Sequence, residues 1–217
     1  MPKLRLLLAD DHTLVRQGLR KILEERHEWE VVEEVGDGRE AVRAAIAQKP
    51  DVAIIDAAMP LLNGIDATQQ IVKRVPGTRV LMLSMHSDEA YLTRAPQAGA
   101  TGYILKDSAG KDLLKGVEAV AAGLPFFSPA IERLMQDDYV RRAAGVTLVA
   151  DRYETLSARE REIFQLIAEA RTSREVAEML AISPATVETH RARILQKLDI
   201  HNTAELVLYA VRRGVIS

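Results

Sequence analysis

Residues 51–64 read DVAIIDAAMPLLNG, and the fold turns on the first six of them. Val52–Ile55 is an unbroken apolar run, bounded by Pro50 on one side and Asp56 on the other. A run this short and this uniformly apolar predicts a strand covered on both faces, the setting of a parallel sheet between helix layers. Ligands of such sheets gather at the carboxyl ends of the strands, where Asp56 stands.

The pattern repeats to either side. Leu4–Ala9 is apolar apart from Arg5 and predicts a buried strand, followed by Leu14, Val15, Leu19, Ile22 and Leu23 at helical spacing. Strands are expected at about Val31–Val35, Val80–Leu83 and Thr101–Leu105, and helices at Ala41–Ala47, Ile65–Val72, Glu89–Ala98 and Leu113–Ala122. Residues 1–123 therefore predict an α/β domain, a doubly wound (βα)5 unit with a five-stranded parallel sheet. Pro96 predicts a kink or early end to the fourth helix, because proline removes the bond to the Leu92 carbonyl. Gly116 costs the fifth helix roughly 1 kcal/mol against alanine. Close helix packing would offset that, including packing across a dimer through the first and fifth helices.

After Phe126 the periodicity fades. Pro125, Pro129, Gly145 and mixed charge mark residues 124–152 as a linker, with one helix expected at Ile131–Arg142. Residues 153–217 hold no strand pattern. Ser157 with Glu160, Thr172 with Glu175, and Asn202 with Glu205 are capping pairs three residues apart, and Ser183 precedes Pro184. They predict four short helices, an all-α second domain.

Composition narrows the classes. Hydrophobic residues at 47% beside 28% charged describe a globular chain. No apolar run reaches the roughly 20 residues that cross a bilayer, and Met1-Pro2-Lys3-Leu4 runs into a strand without a signal-peptide layout. A cytoplasmic chain with no membrane partner is expected. The absence of cysteine excludes disulfides, thiolate zinc sites and cysteine nucleophiles. Nine acidic and nine basic side chains in residues 153–217 leave that half neutral, so a DNA surface would have to be a local patch.

Asp10 and Asp11 close the first strand, Asp56 the third and Ser84 the fourth, while Lys106 follows the fifth. If the first and third strands are neighbours, three carboxylates converge and repel, which calls for a cation. Hard oxygen donors suit Mg²⁺. With no glycine-rich phosphate loop or histidine pair, the fitting chemistry is phosphoryl transfer onto Asp56 as nucleophile. Lys106 and the Ser84 hydroxyl would hold phosphoryl oxygens. The plainer alternative is that the strand-end aspartates only cap helices.

Ser173–Leu180 and Pro184–Leu198, joined by Ala181-Ile182-Ser183, have the form of a helix-turn-helix. Val187, Ile194 and Leu198 should pack inward, leaving Ala185, Thr189, Ala192, Arg193 and Gln196 outward with Glu188 on the flank. Such a face suits a major groove, although a helical pair used for protein contact fits the same pattern. Glu188 can accept from cytosine and the Thr189 methyl can touch thymine. Arg191, Arg193 and Lys197 suit phosphates, and His190 lies toward the packed side.

The segments LLADDHTLVRQGLR, DVAIIDAAMPLLNG, VLMLSMH and GATGYILKD resemble a response-regulator receiver domain. The stretch from Leu156 to Ile200 resembles a LuxR-type helix-turn-helix, and together they resemble the NarL/FixJ family of transcriptional regulators. The resemblance implies a regulator rather than an enzyme, with Asp56 taking phosphate from a sensor histidine kinase. It implies Mg²⁺ (or Mn²⁺) held by Asp10, Asp11, Asp56 and the Ala58 carbonyl, with Ser84 and Tyr103 as a switch pair. In the recognition helix, Glu188, Thr189 and Ala192 would meet bases of a double-stranded DNA operator, with Thr186 also on the DNA-binding surface. Activation would form a homodimer through the last helix, Thr203–Arg213. Ala58 offers no polar side chain to orient water, so self-dephosphorylation should be slow. A hydrolase using Asp56, a flavodoxin-like carrier and a phosphate-independent DNA-binding dimer stand as alternatives.

Overall fold

The computed structural model describes residues 3–85, 94–129, 131–132 and 152–216, and these fall into two compact units. In the N-terminal unit β1 (Leu4–Ala9), β2 (Trp29–Val35), β3 (Val52–Asp56), β4 (Arg79–Ser84) and β5 (Gly102–Leu105) are parallel. The order is β2-β1-β3-β4-β5-β6, where β6 (Phe126–Phe127) is a sixth strand that the sequence did not predict. It pairs Gly102 with Phe126 and Tyr103 with Phe127, so the sheet takes in the first residues expected to be linker. Two residues are too few to show an alternating pattern.

Helices α1 (Thr13–Glu24), α2 (Gly38–Gln48), α3 (Gly64–Arg74) and α5 (Ala109–Ala121) cover the sheet, with α4 described at 94–97. Leu6, Leu8, Val52, Ile54, Leu81, Leu83 and Ile104 point to the α1 and α5 side, where Leu19, Leu23, Leu113, Val117 and Val120 meet them. The alternate residues face α2, α3 and α4. All five residues of β3 are buried, as an apolar run with no alternation requires.

Two expectations change. Helix α4 runs past Pro96: Ala98 N–H still bonds to the Arg94 carbonyl at 2.9 Å. The stop is Gly99, at φ +94°, beyond which Ala100 N–H bonds back to Ala95. The kink expected near Leu92 and the first half of that helix lie outside the described residues. Gly116 does face close packing, but against the sheet: an added Cβ would stand 2.7 Å from the Ile104 side chain. It therefore offers nothing to a dimer surface. Of the helix expected over 131–142, residues 131 and 132 are helical and the rest lies outside the described residues. The Ile131 side chain is fully buried in one cluster with Tyr103, Met82, Ala95 and Ala98.

The C-terminal unit contains α6 (Ala158–Ala168), α7 (Ser173–Leu180), α8 (Pro184–Leu198) and α9 (Thr203–Arg212). Each starts at its expected cap. Ser157 and Thr172 form complete capping boxes with Glu160 and Glu175, while Ser183 accepts from Thr186 N–H and Asn202 from Glu205 N–H. Tyr153, Phe164, Val176, Leu180, Val187, Ile194, Leu198 and Leu206 make the core. At the α7–α8 turn, Ala181 takes the left-handed conformation, φ +52°.

Gly64 shows how tightly the sheet holds its ligand end. A Cβ there would come within 1.9 Å of the Asp56 carbonyl oxygen. Gly64→Ala should therefore destabilise the N-terminal unit by about 3 kcal/mol or more, because backbone cannot yield as a side chain can. Gly18→Ala, on α1 with nothing within 4 Å, should instead stabilise it by ~0.5–1 kcal/mol. Urea unfolding of both variants checks the pair; a tolerated alanine at 64 would contradict the packing described.

Candidate functional site

The strand order places β1 between β2 and β3, so the chain reverses its winding there and a crevice opens between the ends of β1 and β3. Asp10 follows β1 and Asp56 ends β3, and both are buried. Lys106, first residue after β5, reaches between them: Nζ lies 2.7 Å from Asp10 Oδ2 and 2.8 Å from Asp56 Oδ2. Asp10 Oδ1 accepts the His12 N–H at 2.8 Å, and Arg16 donates to the Asp10 carbonyl. Asp11 is more exposed and meets His12 Nδ1 at 2.7 Å.

Local structure fixes these positions. Ala57 N–H bonds to the Leu83 carbonyl at 2.7 Å, and Gly64 N–H to the Ala57 carbonyl at 2.9 Å, tying both ends of the loop after Asp56 to the sheet. Within that loop Leu61 has φ +66°, and Leu62 N–H bonds to the Pro60 carbonyl in a tight three-residue turn. Asn63 then caps α3, accepting from Asp66 N–H. Ser84 ends β4, one residue beyond Leu83, the register partner of Asp56; its own partner is Leu105, next to Lys106. Ser84 is buried. Tyr103 is also buried, packed with Ala57, Ile65, Met82 and Ile131.

Burial pushes the Asp56 carboxyl up to about 6, against the opposing pull of Lys106 and with a further push from Asp10 and Asp11. Burial by itself would lower Lys106, but Asp56 and Asp10 more than compensate and hold its ammonium above its ordinary value. One ligand atom from each of Asp10, Asp11, His12 and Asp56 lies within 4.8 Å of the others. The three carboxylates expected from the sequence are thus brought together, and His12 joins them. That histidine was legible only as the neighbour of Asp11.

In the C-terminal unit Thr186, Glu188, Thr189, Ala192, Arg193 and Gln196 are exposed on α8, while Val187, Ile194 and Leu198 are buried. Thr189 Oγ1 bonds back to the Ala185 carbonyl, and Glu188 accepts from the Ser173 hydroxyl of α7. Arg191 and Lys197 are occupied within the unit. The Arg191 guanidinium bonds to Thr203 Oγ1 at 2.5 Å, tying α8 to the start of α9. Lys197 Nζ pairs with the buried Glu160 carboxylate at 2.7 Å and also donates to the Thr155 carbonyl. Burial would raise Glu160, but Lys197 and the Ser157 donors outweigh it and hold the carboxyl low. His190 is half-buried, and its Nδ1 has no hydrogen-bond partner among the described residues.

The comparisons with known proteins follow this division. Residues 6–118 match the family model "Response regulator receiver domain", and residues 154–210 match "Bacterial regulatory proteins, luxR family". The chain is 36% identical over 215 residues to the oxygen regulatory protein NreC of Staphylococcus carnosus, spanning 98% of this chain and 99% of that one. It is 37% identical to the transcriptional regulatory protein MctR of Rhizobium johnstonii, spanning 100% and 97%. The solved complex of the two-component response regulator RcsB with DNA is similar at 27% identity and a TM-score of 0.59, covering 96% of this chain and 98% of that one. Among the described residues no helix is long and apolar enough to cross a membrane.

The raised Asp56 carboxyl has a consequence for stability. Its folded value of about 6 lies above the ordinary 3.8, so the folded state holds this proton more tightly than the unfolded chain. Its contribution is fully present below pH 3.8 and lost as pH rises through about 6. Asp56→Asn imitates the protonated form. Without divalent cations it should be more stable than the wild type at pH 7.5 by about 1–3 kcal/mol, with the gap narrowing toward pH 5. Denaturant unfolding at both pH values checks this; an Asn variant no more stable at pH 7.5 would contradict it.

Proposed function

The chain belongs to the response regulators that join a receiver domain to a luxR-family DNA-binding domain, and on that footing we propose that Asp56 is its phosphoacceptor. The observation that carries the reading is Lys106 bridging Asp10 and Asp56 in a crevice that also gathers Asp11. In the transfer a carboxylate oxygen of Asp56 attacks phosphorus, and the bond from phosphorus to a histidine nitrogen of a sensor kinase breaks. That nitrogen keeps the electron pair, and an acyl phosphate forms on Asp56.

Asp10, Asp11 and Asp56 are oxygen donors close enough to share one ion, and they fit Mg²⁺ or Mn²⁺; the family resemblance adds the Ala58 carbonyl as a further ligand. When bound, the ion offsets the charge of the transferred phosphoryl group. Lys106 would exchange one of its carboxylate partners for a phosphoryl oxygen, and the Ser84 hydroxyl would take another. Tyr103 is the second member of the switch, and its register partner Phe127 and cluster neighbour Ile131 lie where the chain leaves the sheet. Receiver domain, linker and DNA-binding domain are assigned to residues 1–123, 124–152 and 153–217, with Phe126–Phe127 of the linker joining the sheet.

On α8, Thr186, Glu188, Thr189 and Ala192 face the bases and Arg193 the phosphates of a double-stranded operator. Arg191 and Lys197 have intramolecular partners and serve first to aim the helix. Leu208 and Val211, half exposed on α9, supply the apolar contact of a homodimer on two half-sites. Phosphate acts by shifting an equilibrium toward that dimer.

Selection of DNA sequences from a random pool, with and without acetyl phosphate, tests the switch. The wild type should bind its selected operator at least about tenfold more tightly once phosphorylated, a coupling of ~1.4 kcal/mol. Asp56→Ala should bind equally under both conditions. Equal wild-type binding with and without phosphate would overturn the switch and favour a phosphate-independent dimer.

Ala58 governs the lifetime of the mark. Ala58→Asn supplies a side chain that can orient water, and the aspartyl phosphate should decay several-fold faster. Loss of label from purified phosphoprotein measures this; unchanged decay would exclude position 58 as the determinant.

A further inference from the structure

Several polar groups on the exposed face of α8 are engaged within the protein itself. The Thr186 hydroxyl pairs with the Ser183 hydroxyl at 2.8 Å in the cap of the helix. The Thr189 hydroxyl donates to the Ala185 carbonyl at 3.0 Å, so its hydrogen is committed to the helix. Ala192 has no polar side-chain atom. Among the residues expected to meet bases, the strongest hydrogen-bonding group is therefore the Glu188 carboxylate, whose side chain is 57% exposed. Its Oε1 accepts from the Ser173 hydroxyl of α7 and lies 3.9 Å from the Arg191 guanidinium. Oε2 has no hydrogen-bond partner among the described residues. Arg191 is tied in turn to Thr203, so Glu188 is held from two sides.

We propose that Ser173, on the helix before the recognition helix, sets base choice by fixing Glu188 so that its second carboxylate oxygen reads a cytosine. The inference rests on the assignment of α8 as the base-reading helix given above. An exposed glutamate ordinarily samples many rotamers, and ordering it on binding opposes recognition. A hydroxyl donating to a charged oxygen makes a charge-assisted bond, which strengthens as a groove excludes water. With Oε1 occupied, Oε2 is an acceptor in a fixed place, and the N4 amino group of cytosine supplies the donor it needs. Adenine also offers an amino group, but its N7 acceptor stands beside it and repels a carboxylate. Ser173 is thus a positioning residue: it acts through Glu188 and needs no contact with the base.

The test uses the full-length protein with acetyl phosphate and the operator it selects from random double-stranded DNA. Affinity is then measured for all four base pairs at each operator position. The wild type should have one position per half-site where replacing cytosine weakens binding at least about tenfold, and Glu188→Ala should reduce that preference below about twofold. Ser173→Ala should lower it to about threefold or less and leave the other positions unchanged, while Ser173→Thr, which keeps the hydroxyl, should retain it. In a Glu188→Ala background Ser173→Ala should have no further effect, which separates positioning from any loss of fold. A full cytosine preference in Ser173→Ala, an equal loss at every position, or an effect that persists without Glu188 would overturn the role of Ser173 and leave Glu188 as the reader. Loss of a preference for another base in Glu188→Ala would overturn the cytosine assignment. An operator whose preferences all survive Glu188→Ala would overturn both this inference and the placing of Glu188 against the bases.

Discussion

The N-terminal unit depends on one arrangement of charge: a lysine ammonium held between two buried carboxylates, with a third nearby. Asp10 and Asp56 are taken out of water at the ends of adjacent strands, and Lys106 meets each within 2.8 Å. Burial of an unpaired carboxylate is costly, and one cation shared between two carboxylates offsets only part of the repulsion that Asp11 adds. The raised Asp56 carboxyl is the residue of that imbalance. On the proposed reading, a cation and a phosphoryl group would each relieve part of that imbalance.

The fold creates the imbalance and also carries it outward. Parallel pairing of β1 with β3 forces the two aspartates together, and the close pass of Gly64 under the Asp56 backbone leaves the strand end no freedom to move away. On the far side of β4, Tyr103 is paired in register with Met82 on one flank and Phe127 on the other. Ile131 is buried against the same cluster. Residues through which the chain leaves the sheet are thus packed in one cluster with Tyr103. In the C-terminal unit α8 is held by partners at its middle and near its C-terminal end, Arg191 on Thr203 and Lys197 on Glu160.

Much of this was legible in the sequence because local rules decided it. Apolar runs without alternation marked the buried strands, and the caps at Ser157, Thr172, Ser183 and Asn202 placed all four C-terminal helices. The acidic crevice followed from strand ends once β1 and β3 were taken as neighbours. Features set by distant partners were not legible. β6 is two residues long and exists only because β5 offers a free edge. Arg191 and Lys197 read only as phosphate contacts, because their partners Thr203 and Glu160 lie on other helices. Pro96 suggested an early helix stop, yet Gly99 closes the helix because only it adopts the required positive φ without cost. His12 joins the crevice through its contacts with Asp11 and Asp10, which no spacing in the sequence announces.

The central claim is that Asp56, and no other carboxylate of the crevice, takes the phosphoryl group. It is tested most directly by intact-mass measurement and peptide mapping after incubation with acetyl phosphate and Mg²⁺. The expected result is a gain of a single phosphoryl group, localised to the peptide containing Asp56 and absent from Asp56→Ala. A phosphoryl group on Asp10 or Asp11, or undiminished labelling of Asp56→Ala, would contradict it.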